Sequence, residues 1–231
     1  MRVLIVENTE VTHHGQLGVA LHEAGALIEL VKPWRGEALP LSVEADALVV
    51  FGGEQSARDD AEFPYLSALA DLMARYSAQV RAVMGICLGS QLLARAFGAE
   101  NILGATPEFG WCRVSLTEAG KEDPVLGHLP DDFPIFQWHG DTFTLPEGAL
   151  HLAQSPKAAH QAFRIGRATY GTQFHFEASR AVVADWTRRF PDRVEANQKG
   201  WIADHPALAA RLGQEADQHG LEIARAWVSL I

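Results

Sequence analysis

Short aliphatic runs alternate with stretches of helical spacing along the N-terminal part of the chain, and this alternation limits the fold more than any other feature. Val3 to Val6 is β-branched and aliphatic, bounded by polar residues, and reads as a buried strand. Gly15 to Ala24 places Leu17, Leu21 and Ala24 on one helical face and stops at Gly25. Leu27 to Val31 and Ala47 to Phe51 read as further strands, the second running into Gly52-Gly53. Tyr65 to Tyr76, with Leu66, Leu69, Leu72 and Met73, is the next helix; Val80 to Met84 is a strand and Leu88 to Phe97 a helix. Strands and helices in this order predict an α/β fold, a mostly parallel central sheet flanked by helices.

The middle of the chain changes character. From Trp111 to about Leu152, short β-like segments are separated by Gly and Pro, which predicts a small antiparallel addition to the parallel core. A last strand is expected over Ala168 to Phe176, followed by helical sequence from near Ser179. In Pro206 to Ile231, Leu208, Leu212, Ala216, Ile223 and Trp227 form a stripe close to four-residue spacing, an amphipathic helix docked on the domain. Repeats, low-complexity tracts and linkers are not evident. The expectation is therefore a single domain over 1–231, with a core of about 1–178 and a helical C-terminal elaboration over 179–231.

A chain of 231 residues can bury a substantial core without staples. Its formal net charge of −10 argues against nucleic acid or an anionic membrane as a partner, since both need clustered Lys and Arg. The opening apolar run is too short for a signal-peptide core or a membrane span. Two cysteines, Cys87 and Cys112, make neither a disulfide framework nor a zinc cluster, so a reduced cytoplasmic setting is expected. The adjacent His13-His14 pair lacks convincing further ligands nearby, so neither a metal nor any cofactor is expected.

The most informative stretch is Val83-Met84-Gly85-Ile86-Cys87-Leu88-Gly89-Ser90-Gln91. A strand runs directly into a helix with Cys87 at the junction, two residues from a glycine on either side: a nucleophile elbow with cysteine in place of serine. The small flanking residues let strand and helix approach while the turn residue takes a strained backbone. The turn presents sulfur at the carboxyl edge of the sheet, where open α/β folds bind ligands. The helix amino terminus favours a thiolate and offers N–H donors to a developing oxyanion, that of Leu88 first. Cys112, beside Trp111, has no such setting and reads as structural.

Further on, Tyr170-Gly171-Thr172-Gln173-Phe174-His175-Phe176-Glu177 has the period-two pattern of a strand. That pattern puts His175 and Glu177 on one face, where a carboxylate can orient an imidazole whose other nitrogen faces a thiol.

Together these segments resemble the class I glutamine amidotransferase family. Gly85-Ile86-Cys87-Leu88-Gly89-Ser90-Gln91 and Gln173-Phe174-His175-Phe176-Glu177 carry the resemblance. Gly52-Gly53-Glu54-Gln55-Ser56 stands where the family has a Gly-Gly-Pro-x-Ser loop. Trp138-His139-Gly140-Asp141 is similar to the Trp-His-Gly-Asp segment of its stand-alone GMP-synthase-like branch. The likeness spans roughly Val3 to Glu177. It implies a Cys87–His175–Glu177 triad, an oxyanion hole from the N–H groups of Gly53 and Leu88, and a substrate held by Gln91 and by backbone near His139. Two departures, Glu54 for the loop proline and Phe176 for the proline between His175 and Glu177, leave those groups in place.

The resemblance implies hydrolysis of a γ-glutamyl amide through a thioester, releasing ammonia, with glutamine or a similar small molecule as substrate. No synthetase domain is legible in this chain. Either a separate synthetase partner receives the ammonia, or the enzyme works alone as a γ-glutamyl peptidase or hydrolase. A catalytically silent regulatory or binding protein is a third reading, which the intact triad residues disfavour. A related group of cysteine hydrolases and redox proteins shares the sheet and elbow but places His directly after the nucleophile, where Leu88 stands here. Arg58, Asp59, Asp60, Glu108 and Trp111 are read as loop charge or packing around the mouth.

Overall fold

The computed structural model describes the whole chain, Met1–Ile231. Its strands are β1 (Arg2–Val6), β2 (Leu27–Val31), β3 (Ala47–Val50), β4 (Ala82–Ile86), β5 (Asn101–Ile102), β6 (Glu108–Leu116), β7 (Asp132–His139), β8 (Thr142–Phe143), β9 (Leu150–Gln154), β10 (Ala162–Ile165) and β11 (Thr169–Thr172). The α-helices are α1 (Gly15–Glu23), α2 (Tyr65–Ala78), α3 (Leu88–Ala96), α4 (Glu118–Lys121), α5 (Arg180–Arg189), α6 (Pro191–Asn197), α7 (Trp201–Leu208) and α8 (Gln214–Val228).

Nine strands form one sheet in the order β2-β1-β3-β4-β11-β10-β9-β6-β7, and β5 pairs with β8 in a two-stranded sheet. The contacts β2-β1-β3-β4-β11 are parallel, and those from β11 through β10, β9 and β6 to β7 are antiparallel. This is the mostly parallel, helix-flanked architecture with an antiparallel addition that the residue patterns predict. Alternation along each central strand sorts the core into two layers. Val3, Ile5, Val49, Met84 and Ile86 point toward α1, α5 and α8, whereas Leu4, Val6, Leu48, Val50 and Val83 point toward α2 and α3. Helix α1 packs on α8, and α2 packs on α3. No helix is long and apolar enough to cross a membrane.

Three expectations need correction. The strand anticipated over Val80 to Met84 starts at Ala82, because Val80 takes a positive φ of 58° and is 62% exposed. The strand anticipated over Ala168 to Phe176 ends at Thr172. Beyond it the chain crosses the sheet's end, donating from the Gln173 N–H to the Gln161 carbonyl and from the His175 N–H to the Phe136 carbonyl, an isolated antiparallel bridge. Phe174 and Phe176 enter the core while His175 and Glu177 face the cavity, the alternation of a strand without a ladder. Finally, Pro206 does not open the C-terminal helix. It sits within α7, which continues through a π-helical turn at Ala209–Gly213 into α8. The wider π turn, which holds Leu212, separates a short helix that is capped by Gly200 and ends at Leu208 from the long one that carries Ala216, Ile223 and Trp227.

Candidate active site

Cys87 stands between β4 and α3 with φ 52° and ψ −109°, one of two non-glycine residues with positive φ. Such a backbone costs about 1–3 kcal/mol and persists only where its surroundings over-determine it. Here they do. The Cys87 N–H donates to the Thr172 carbonyl at 2.8 Å, and the Cys87 carbonyl accepts from the Ser90 hydroxyl at 2.7 Å and from the N–H groups of Ser90 and Gln91. A Cβ on Gly85 would collide with the Gly89 carbonyl, and a Cβ on Gly89 with the Val50 carbonyl. The two glycines are thus what let α3 start directly against β3 and β4.

His175 faces Cys87 from the crossing segment after β11. Its Nδ1 lies 2.7 Å from Glu177 Oε1, and its other nitrogen is left for the neighbouring thiol. Burial acts to lower the imidazole pKa, but Glu177 and Cys87, by charge and by hydrogen bonding, overcome it and raise the value to about 10. The pair meets through a turn rather than along a strand: Ala178 N–H donates to the His175 carbonyl and Ser179 N–H to that of Glu177. The Glu177 carbonyl also accepts from Gln16 N–H at 3.0 Å, at the start of α1. That contact requires Gly15, where a Cβ would strike the same carbonyl. On the other side, a Cβ on Gly220 of α8 would strike the Phe176 carbonyl, and the Trp186 ring meets the His175 ring edge-on at 5.4 Å.

The Gly52-Gly53 loop closes over the thiol. A Cβ on Gly52 would stand 3.2 Å from the His175 ring and 3.4 Å from Cys87 Cβ, and one on Gly53 would press on Leu88 at 3.0 Å. Gly53 N–H donates to no other group of the chain. Leu88 N–H is the first of a helix and has no intrahelical acceptor. Gln91 reaches the same cavity, but its Nε2 donates to Gln173 Oε1 at 3.2 Å and to the Asp141 carbonyl at 3.5 Å, leaving Oε1 without a protein donor. The His139 ring turns inward, with Nδ1 3.0 Å from the Asp141 carbonyl and Nε2 3.3 Å from Glu108 Oε2, so this residue presents backbone to the cavity. All the residues anticipated for the site are therefore gathered around one cavity of about 590 Å³.

Some neighbours have no role assigned from the sequence. Gln173 Nε2 lies 3.7 Å from the Cys87 sulfur. Glu108 is not at the mouth but buried, accepting from Ser155 Oγ at 2.9 Å and Gln161 Nε2 at 2.6 Å. Trp138, Trp186, Phe190 and Arg193 line the cavity wall, the last three from the C-terminal helices α5 and α6 and the residue between them. Trp138 lies in the Trp-His-Gly-Asp segment without a role of its own, and for Trp186, Phe190 and Arg193 the only local signal is the aromatic content around the helix that starts at Arg180. Cys112 is half-buried, with its thiol pushed up to about 11 by burial and by Glu108. His13 and His14 go separate ways, to Asp185 at 2.8 Å and to Glu7 at 2.9 Å.

Comparison with known proteins agrees with this arrangement. The family model for class-I glutamine amidotransferases matches residues 16–184. The chain is 36% identical over 181 residues, 77% of its length, to a glutamine amidotransferase-like protein of Salmonella typhimurium, YfeJ, of which it covers 76%. It is 28% identical over 191 residues to a glutamine-hydrolyzing GMP synthase component of Methanosarcina acetivorans, matching 80% of this chain and 92% of that one. Among solved structures, a glutamine amidotransferase from Thermotoga maritima superposes with a TM-score of 0.87 at 27% identity, covering 99% of this chain and 97% of that one. One from Methylobacillus flagellatus gives a TM-score of 0.90 at 26% identity, covering 100% and 95%.

Proposed function

Because the chain belongs to the class-I glutamine amidotransferase family, we propose that it hydrolyses the side-chain amide of glutamine, or a similar γ-glutamyl amide, through a thioester on Cys87. The observation that carries this reading is the strained Cys87 elbow facing an imidazole that Glu177 orients at 2.7 Å, at the floor of a cavity large enough for an amino acid.

In this mechanism the Cys87 thiolate attacks the γ-carbonyl carbon and a C–S bond forms. The carbonyl oxygen becomes an oxyanion between the N–H groups of Gly53 and Leu88, donors that no group of the chain already engages. His175, as imidazolium, gives its proton to the nitrogen as the C–N bond breaks, and ammonia or an amine departs. Water then loses a proton to His175 and attacks the thioester carbonyl; a C–O bond forms, the C–S bond breaks, and glutamate leaves with thiolate and imidazolium restored. Glu177 holds the tautomer throughout. Gln91 Oε1 and backbone near His139 are the groups that would receive the substrate's amino-acid end. Residues 1–231 work as one unit in this reading, since the C-terminal helices wall the site.

Ammonia delivery to a separate synthetase is supported by the likeness to the Methanosarcina GMP synthase component. A free-standing γ-glutamyl hydrolase is favoured by a different observation: Trp186, Phe190, Arg193, Ala196 and Asn197 of the chain's own C-terminal helices flank the cavity. The test is release of ammonia and glutamate from glutamine, beside a panel of γ-glutamyl dipeptides, by the purified protein and its Cys87→Ala variant. Release that vanishes in Cys87→Ala is expected. Equal release by both proteins would overturn the reading.

A further inference from the structure

We propose that Arg193 selects substrates whose leaving amine carries a carboxylate, an inference that rests on the γ-glutamyl hydrolase reading and names its substrate class. Arg193 is the one Lys or Arg among the residues lining the cavity. An aromatic wall links it to the candidate triad. Trp186 abuts His175 at 5.4 Å, Trp138 abuts Trp186 at 5.8 Å and Phe190 at 6.1 Å, and the Arg193 guanidinium lies 5.9 Å from the Phe190 ring centre. With a γ-glutamyl group seated on Cys87, a leaving amine turned toward Trp186 enters this space. The leaving group then lies along rings that suit apolar carbon and ends at a planar cation that suits a carboxylate.

The other acidic and imidazole side chains of the wall are already engaged. Asp59 accepts from Ser56 N–H, Asp141 accepts from Gly104 N–H, and His13 is paired with Asp185. Arg193 is held differently. Its partner is Glu54 at 2.7 Å, with both side chains about half exposed, at 52% and 48%. A pair so screened by water is weak and exchangeable, so an incoming carboxylate can take the place of Glu54 without leaving a buried charge unpaired. Glu54 adjoins Gly53, and Arg193 lies on α6, outside the residues 16–184 that match the family model. The device therefore joins the family's glycine loop to a C-terminal segment that the family model does not cover.

The experiment compares kcat/KM for γ-glutamylglycine against γ-glutamylglycinamide, and for γ-glutamylglycylglycine against its amide, so that each pair differs only by a carboxylate. The wild type should prefer the acid in at least one pair. Arg193→Gln should lower the acid-to-amide ratio at least tenfold, Arg193→Lys should recover part of it, and Glu54→Gln should raise it by freeing the guanidinium. Because Glu54→Gln moves the ratio in the opposite direction, the test does not depend on the stability of the Arg193 variants. A wild type without acid preference, or a ratio unmoved by both Arg193→Gln and Glu54→Gln, would overturn the inference while leaving γ-glutamyl hydrolysis standing. Failure to cleave any of these compounds or glutamine would instead bring down the reading beneath it.

Discussion

Two chain segments bring the proposed nucleophile and base together, and the means that dominate differ between them. At the β4–α3 elbow, position is a matter of steric closeness: Gly85 and Gly89 allow backbone to lie against backbone, and Cys87 takes the only geometry left. The segment after β11 has no ladder, and although Gly15 and Gly220 let neighbouring helices approach its backbone closely, its functional side chains are placed by other contacts. It is held by named hydrogen bonds, from His175 N–H to Phe136, from Gln16 N–H to Glu177, and between His175 and Glu177, with Trp186 against the ring. A nucleophile that must not move is locked by volume, whereas a base that must pass a proton back and forth is oriented by polar contacts. The two should therefore fail differently when perturbed.

The largest effect expected on folding is at the elbow. Gly89→Ala drives a methyl into the Val50 carbonyl, where neither backbone can give, and should cost about 3 kcal/mol in urea unfolding. A loss under about 1 kcal/mol would show the elbow to be less tightly packed than described.

Removing charge from the base's partner should act on chemistry more than on folding. Glu177→Gln keeps the shape but removes the carboxylate that raises His175, so the imidazole pKa should fall below its value of about 10 and kcat/KM should drop about 10²-fold. The same group gives a pH signature. Burial opposes the charged ring, but Glu177 and Cys87 raise its pKa above the ordinary 6.5. The resulting stability is complete below about pH 6.5 and is lost as pH rises toward about 10. Unfolding midpoints measured across that window should decline in the wild type, and in Glu177→Gln the decline should begin at the same pH but be smaller and finish earlier. Parallel curves for the two proteins would break the link between this carboxylate and the ring.

The smallest effect sharpens the comparison from the strain side. Cys87→Gly and Cys87→Ala both lose the sulfur, but only glycine tolerates φ 52° with ψ −109° at low cost. The glycine variant should be the more stable by about 1 kcal/mol in thermal or urea unfolding. Equal stabilities would mean that the elbow is not strained.

The same contrast explains what the sequence discloses. The parallel half is legible because strands buried on both faces make continuous aliphatic runs, a local property: Val3–Val6 and Ala47–Val50 lie wholly in the core. The elbow is legible because Gly-x-Cys-x-Gly at a strand end has few other physical uses. The base segment is half legible. Phe174 and Phe176 alternate with His175 and Glu177 as they would in a strand, because alternation reports which side chains face the core and not whether a ladder partner exists. Arg193 and Glu108 are not legible at all. One looks like a solvated helix charge and the other like a loop charge. Their partners, Glu54 and His139, are distant in sequence and brought close only by the tertiary fold.

The most direct test of the proposed chemistry is to look for its intermediate. Protein quenched in acid during turnover of a γ-glutamyl compound and digested for mass spectrometry should carry one glutamyl group on the peptide containing Cys87, and the Cys87→Ala protein should carry none. Turnover that continues in Cys87→Ala, with no glutamyl group on the wild-type Cys87 peptide, would contradict the account.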